Sequence, residues 1–565
     1  MKKLINDPRF AVREMLEGAL ALAPSLALLA EENVVIRNDL PDAPQRRVAV
    51  ISGGGAGHEP AHAGYVGPGM LSAAVVGDVF TSPSVDAVLA AVRAVSGPAG
   101  ALLVVKNYTG DRLNFGLAAE IAREEGIPVE IVIVADDAAL ASLVAPERRR
   151  GIAGTVFIHK LAGAAAERGA PLADIASLAR SASSDLRTMG VGLGTCIVPA
   201  VGLPSFSLGA EEIEFGLGIH GEKGVRRSAI KPANEIVEEI LAVLTGEITP
   251  SADKRLAVLV NGLGATPPME LAIVLGHALK SLGGMGFSVS RAWCGNFMTA
   301  LEMPGVSITL LPLDDRRLQL LDDATPVSAW QGDGQVRLPI TIVPGAAAHV
   351  DQGVPVPRGP QSDLLRAGAL AVADALDGAE AELGDLDGKA GDGDLGASMA
   401  RGAAAIRNLA DRSFATPETL LADLSAGVRR AIAGSSGPFY AAALLRAAGQ
   451  LRGLDCATEA QWRTAFLAAA QAISDLGGAG RGDRTMLDAL LPGHEAWQQA
   501  TDQGQNPVAA FFAAAAAAHA GAMASATLMP RAGRASYIGD RAIGIPDGGA
   551  VAVAIWMKAI AGVLE

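Results

Sequence analysis

The chain has 565 residues, half of them apolar and 19% charged, with a formal net charge of −14. That length is too great for one core and predicts about two to four domains. The composition excludes a disordered chain, and the acidic balance excludes a nucleic-acid partner, which would need an excess of Lys and Arg. Nucleotides stay open, because metal ions and backbone amides can hold phosphate.

The opening stretch MKKLINDPRF has two lysines with no apolar run behind them, so no targeting segment is expected there. Next, RRVAVIS leads into GGGAGHEPAHAG, and GALLVVKN leads into YTGDRLNFGLAAEIAREEG. VEIVIVADD, RLAVLV and VSITLLPL are further strand candidates. Continuous apolar runs of this length suit strands buried on both faces. Strand, glycine turn and helix in repetition predict an α/β domain of parallel or mixed sheets with flanking helices over residues 1–340, with ligands at the strand ends.

The first glycine loop has Gly53 and Gly55, but His58 stands where a dinucleotide fingerprint needs its third glycine, so that reading is weak. The loop instead presents His58, Glu59 and His62. Pro60 between the histidines argues against a metal pair on one helix and for separate roles. Lys106, Asn107 and Asp111 follow another strand, where an α/β protein keeps its site. GLGIHGEKG, residues 216–224, sets His220 among glycines beside Glu222 and Lys223. An imidazole there can be ligand, base or nucleophile, or simply a satisfied loop histidine.

Residues 341–361 are rich in proline and glycine and read as a linker. From Ser362 to Glu565 alanine-rich helical patterns dominate, predicting an all-α bundle or barrel. LDGKAGDGDLG holds Asp387, Asp392 and Asp394. Their spacing cannot share a helical face, so they converge only through a turn at Gly391 and Gly393. Converging carboxylates favour a hard cation such as Mg²⁺, and an EF-hand fails because Lys389 and Gly396 fall at ligand positions. A solvated Asp-Gly turn is the plain alternative. AGSSGPFY, GGAGRGDRTMLDAL and GRASYIGDRAIGIPDGGA supply three more loops of small or basic residues. Four such loops suggest closure over a phosphorylated ligand, with Ser435 and Ser436 as an anion seat at a helix start. There is no P-loop motif.

VAAFFAAAAAAHAGAMASA comes closest to a membrane-spanning run, but Ala is weakly hydrophobic and His519 interrupts it. Cys196, Cys294 and Cys456 lack metal or disulfide spacing and are expected as buried free thiols in a reducing cytosol. Together these features predict a soluble cytoplasmic protein.

GGGAGHEPAHAGYVG, KNYTGDRLNF, GLGIHGEKG, LDGKAGDGDLG, GSSGPFY and GDRTMLDAL occur in this order along nearly the whole chain. This set resembles the ATP-dependent dihydroxyacetone (glycerone) kinases, with a substrate-binding K-type domain followed by a nucleotide-binding L-type domain. The resemblance implies that ATP phosphorylates dihydroxyacetone, with glyceraldehyde as a further acceptor. It implies that His220 forms a hemiaminal with the ketone carbon. Gly55, Ala56, Gly57, His58, Lys106 and Asp111 would surround the substrate, with His58 and Asp111 as proton-transfer candidates. Asp387, Asp392 and Asp394 would hold two Mg²⁺ ions. Leu395, Gly396, Ala397, Ser398, Ser435, Ser436, Gly477, Thr485, Met486, Asp547, Gly548 and Gly549 would contact the nucleotide. It also implies a homodimer through the K-type domain. Two departures stand out. Leu395 replaces the threonine of GDGDTG, and Ala56 replaces the serine of GGGSGHEP. Rival readings within this resemblance are a kinase for another ketose such as erythrulose, cleavage of FAD to cyclic FMN, and a nucleotide-sensing regulator.

Overall fold

The computed structural model describes residues 2–250, 253–343 and 357–565, so most of the linker reading lies outside the described residues. The chain divides into two compact units, Met1–Ile342 and Val343–Glu565.

Among the described residues, the first unit contains twelve strands in two six-stranded sheets. The first sheet is built from β1 (Leu26–Leu28), β2 (Val34–Arg37), β3 (Ala49–Ala56), β4 (Ala73–Val79), β5 (Ala101–Lys106) and β6 (Val129–Val134), in the order β1-β2-β4-β3-β5-β6. Strands β4, β3, β5 and β6 run parallel, and the short β1 and β2 add an antiparallel edge. The second sheet takes β7 (Arg187–Gly192), β8 (Glu212–Phe215), β9 (Arg226–Ala229), β10 (Arg255–Gly262), β11 (Ser288–Gly295) and β12 (Gly305–Pro312), in the order β11-β10-β12-β7-β8-β9. Only β10 and β11 are parallel there.

Strands β3, β5 and β12 are buried at every residue. They are covered on both faces, which is why they read as unbroken apolar runs. Helix Thr155–Glu167 is buried at every residue but Glu167. It shares one core with Val50, Leu102 and Val104 of the first sheet and Leu259 and Leu311 of the second. A helix buried on all sides therefore marks the layer joining the two sheets.

The second unit is helical throughout its regular elements. Its long helices are Ser362–Gly378, Leu395–Arg407, Pro417–Ala431, Ser436–Gln450, Glu459–Gly477, Leu487–Asp502, Pro507–Ala524 and Gly548–Leu564. Each packs on the next around a ring, and Gly548–Leu564 closes it against Ser362–Gly378. The result is a barrel around an apolar cavity of about 490 Å³, lined by residues including Leu365, Val372, Ile406, Phe466 and Trp497. Helix Pro507–Thr527 is long and apolar enough to cross a membrane by length and composition. Here it places Ala510, Phe511, Ala514, Ala518 and Ala522 in the barrel core.

The cysteines are free, as expected, but only Cys196 is buried. Cys294 lies on the edge strand β11 and Cys456 in a helix connection, and both are exposed.

Leu259 is fully buried where the helical layer meets β10. Leu259→Ala should destabilise the first unit by about 2–5 kcal/mol, measured by urea unfolding followed by tryptophan fluorescence.

Candidate active site

The site in the first unit is assembled from three chain segments. Strand β3 runs directly into the His58 loop. Lys106 is the last residue of β5, and Asp111 sits in the first turn of helix Thr109–Glu124. The loop carrying His220 follows β8. Arg150 pins that loop, donating to the Gly216 carbonyl at 2.7 Å while its Nε donates to Asp137 at 2.7 Å. Burial pushes the Asp137 carboxyl up to about 6, against the pull of Arg150.

His220 stands in an aromatic nest. Its ring centroid lies 4.8 Å from His58, 5.1 Å from Phe80 and 4.7 Å from Tyr108, each in edge geometry. Its Nδ1 lies 3.0 Å from Glu222 Oε1, and its backbone N–H donates to Glu222 Oε2 at 2.9 Å. Burial raises the Glu222 carboxyl, but the hydrogen bonds and charge of His220 outweigh it and bring it down to about 2. Glu222 is therefore a carboxylate and can only accept.

His58 is fully buried, and its Nδ1 lies 2.7 Å from the Thr299 carbonyl. A carbonyl only accepts, so Nδ1 carries the proton and Nε2 the lone pair. Burial, then the nearby His220 and Lys106, hold His58 well below its ordinary pKa and keep it neutral. His58 Nε2 and the Tyr108 hydroxyl are both buried without a hydrogen-bond partner among the described residues. Unpaired buried polar atoms on two neighbours of one imidazole mark a place for a polar ligand.

Lys106 Nζ donates to the Gly53 carbonyl at 3.2 Å and lies 2.8 Å from His62 Nε2. Burial lowers its pKa, and Asp111 counteracts this. A Cβ at Gly54 would fall 2.4 Å from Lys106 Nζ, so only glycine admits the ammonium beside the β3 backbone. Asp111 accepts from Ser82 Oγ at 2.5 Å. His62 Nδ1 lies 2.9 Å from His159 Nε2, whereas His58 Nδ1 faces the Thr299 carbonyl. Gly55 and Ala56 are buried in β3, and Gly57 lies against Phe80.

In the helical unit Asp387, Asp392 and Asp394 offer carboxylate oxygens within 4.8 Å of one another. Asp387 is on helix Glu380–Ala390 and Asp394 precedes helix Leu395–Arg407. Gly393, at φ +80°, turns the chain between them. A Cβ at Gly391 would lie 2.2 Å from Asp387 Oδ1, so the carboxylate folds over the turn. Three oxygen donors in one exposed cradle suit a hard divalent cation. Arg534 pairs with Asp392, which brings the 533–549 loop to the cluster.

The other candidate loops lead into helices that alternate around the barrel. Because neighbours in an up-and-down ring run antiparallel, every second helix starts at the same end. Ser435 is exposed before helix Ser436–Gln450, and Gly477 lies beside Phe439. Thr485 donates its backbone N–H to Asp488 Oδ2 at 2.9 Å. Asp547 caps helix Gly548–Leu564 through the Ala550 N–H at 2.8 Å. Gly549 lies beside Met486. Arg484 is buried and donates to the carbonyls of Ala542 and Ile545, joining two of the loops. Gly396 and Ser398 are buried and Ala397 is exposed on the first turn after the aspartates. Leu395 is also buried, packed where a Cβ on Gly548 would lie 2.7 Å from it. The bare Gly548 thus makes room for the leucine.

Glu222, Phe80, Tyr108 and Ser82 escape assignment by sequence, as do Arg484 and Arg534. Tyr108 and Glu222 stand inside recognised motifs. Arg484 stands inside GDRTMLDAL, whereas Phe80, at φ +60°, carries no periodic signal.

Residues 17–329 match the Dak1 domain and residues 389–562 the DAK2 domain. The chain is 42% identical to a putative 3,4-dihydroxy-2-butanone kinase of Solanum lycopersicum, covering 99% of this chain and 98% of the relative. It is 41% identical to the Homo sapiens triokinase/FMN cyclase, covering 100% and 99%. The crystal structure of the C. freundii dihydroxyacetone kinase in complex with AMP-PNP and Mg²⁺ is similar, with a TM-score of 0.62, 35% identity and 99% of each chain covered. A two-unit α/β and all-helical chain of this kind is an ATP-dependent kinase. It belongs to the single-chain dihydroxyacetone kinase family.

The buried His159 has its pKa lowered to about 3, mainly by burial and then by Lys106. Below the unfolded value of about 6.5 the unfolded chain takes up a proton that the folded chain refuses. Stability is thus lost as pH falls from about 6.5, by about 2 kcal/mol at pH 5 for this group. His159→Gln should flatten the pH dependence of unfolding free energy by about one proton in that range, read from urea unfolding at a series of pH values.

Proposed function

We propose that the protein transfers the γ-phosphoryl group of ATP to a terminal hydroxyl of dihydroxyacetone, with the ketone held as a hemiaminal on His220. The unpaired Nε2 of buried His58 beside the His220 ring carries this reading. It supplies a neutral base next to a candidate nucleophile.

Lys106 and Asp111 are the polar groups for the substrate hydroxyls. The lone pair on His220 Nε2 bonds to the ketone carbon, the carbonyl π pair moves to oxygen, and that oxygen takes up a proton. His58 Nε2 then accepts the proton of the terminal hydroxyl as its oxygen attacks the γ-phosphorus. The bond from that phosphorus to the β,γ-bridging oxygen breaks, and ADP leaves. Reversal of the carbon–nitrogen bond releases dihydroxyacetone phosphate. This selects ketones and aldehydes and rejects glycerol, which has no carbonyl. Mg²⁺ bound by Asp387, Asp392 and Asp394 would neutralise phosphate charge during the transfer. The barrel-end residues Leu395 to Ser398, Ser435, Ser436, Gly477, Thr485, Met486 and Asp547 to Gly549 seat the nucleotide in this reading. A cytoplasmic homodimer is part of the same proposal. The human relative's name, triokinase/FMN cyclase, makes FAD cleavage the second reading at the nucleotide end.

The test is Mg²⁺-dependent ATP consumption with dihydroxyacetone, glyceraldehyde, erythrulose and glycerol, with FAD turnover assayed alongside. Dihydroxyacetone should give the highest kcat/KM and glycerol none. A preference for erythrulose would change the substrate and keep the chemistry; good turnover of glycerol would overturn the hemiaminal. His58→Asn should lower kcat by about 10²- to 10⁴-fold, measured at saturating ATP. Asp392→Asn should raise the Mg²⁺ concentration needed for half-maximal rate, measured by metal titration after chelation.

A further inference from the structure

We propose that Glu222 is the positioning residue for His220: it presents Nε2 as the nucleophile and balances the charge that the ring acquires on bonding to the carbonyl carbon. This rests on the covalent reading above and assigns a role to a residue that reading leaves idle.

The carboxylate grips His220 twice, at the backbone N–H and at ring Nδ1. Because the carboxylate only accepts, Nδ1 must hold the proton and Nε2 must hold the lone pair. The turn is shaped for this grip. A Cβ at Gly218 would lie 2.1 Å from Glu222 Oε2 and 2.8 Å from Arg150 Nη1, so any side chain there would displace the carboxylate. Gly221, at φ +78°, folds residue 222 back over residue 220.

The chemistry needs this partner. When Nε2 bonds to the carbonyl carbon, the π pair moves to oxygen, and the oxygen takes one proton from solvent. The ring keeps its Nδ1 proton and is left cationic. Phe80 and Tyr108 pack their rings edge-on against it. Glu222, 3.0 Å from Nδ1, is the anion that offsets this charge. A charge that appears only in the adduct and its transition state is where a fixed opposite charge lowers a barrier most.

The experiment uses the full chain. [2-¹³C]dihydroxyacetone is added to wild type, His220→Ala, Glu222→Gln and Glu222→Asp, and the adduct carbon is followed by ¹³C NMR. Steady-state kinetics and thermal unfolding run in parallel. Wild type should show the adduct and His220→Ala should not. Glu222→Gln should lose most of the adduct signal and about 100-fold or more in kcat/KM, with Glu222→Asp recovering part of both. Undiminished adduct and kcat/KM in Glu222→Gln would overturn the role of Glu222 and leave the covalent reading standing. No adduct in wild type would overturn the covalent reading itself. If Glu222→Gln does not fold, ¹⁵N NMR of histidine-labelled wild type decides: a proton on Nδ1 of His220 supports the proposal, and a proton on Nε2 overturns it.

Discussion

A neutral imidazole can act as a nucleophile only through the nitrogen that carries no proton, so one ring nitrogen must be tied down. Glu222 ties down Nδ1 of His220. Much of the first unit serves that contact. Arg150 fixes the loop at Gly216, Asp137 fixes Arg150, and glycine at 218 keeps the path to the carboxylate clear. The same logic holds His58, whose Nδ1 faces the Thr299 carbonyl. Two imidazoles, each with one nitrogen fixed by an acceptor, lie within 4.8 Å of each other. Neither would be fixed this way in water, where both tautomers interconvert freely.

Burial supplies the second constraint. His58, His62, His159 and Lys106 crowd one buried region, and burial pushes each toward its neutral form. Asp111 works against that pressure on Lys106. A polar cluster this deep is costly unless each group is paired or has a ligand to meet. The partners are present for Lys106 and His62 and missing for His58 Nε2.

The helical unit solves a different problem with little rigid machinery. Its acidic cradle is exposed, and its candidate nucleotide residues lie on loops between helices. What organises those loops is the closed ring of helices, together with Arg484 binding two loops through backbone carbonyls. Leu395 shows how such a site absorbs a change: its side chain turns into the core beside Gly548.

Much of this was legible in the sequence. Apolar runs of strand length ending in glycine loops, then alanine-rich helical periodicity, reveal two architectures in one chain, because side-chain burial imposes a period of two or 3.6 residues. The spacing of Asp387, Asp392 and Asp394 around Gly391 and Gly393 reveals a turn, because no helix face could hold all three. Ordered motifs named the family and marked His220. Tertiary structure alone decided which groups meet across the chain: Thr299 with His58, His159 with His62, Phe80 and Tyr108 with His220, Arg534 with Asp392. It also decided which imidazole nitrogens meet a partner. Those contacts join residues far apart in the chain, and local periodicity carries no information about a partner that only folding brings near.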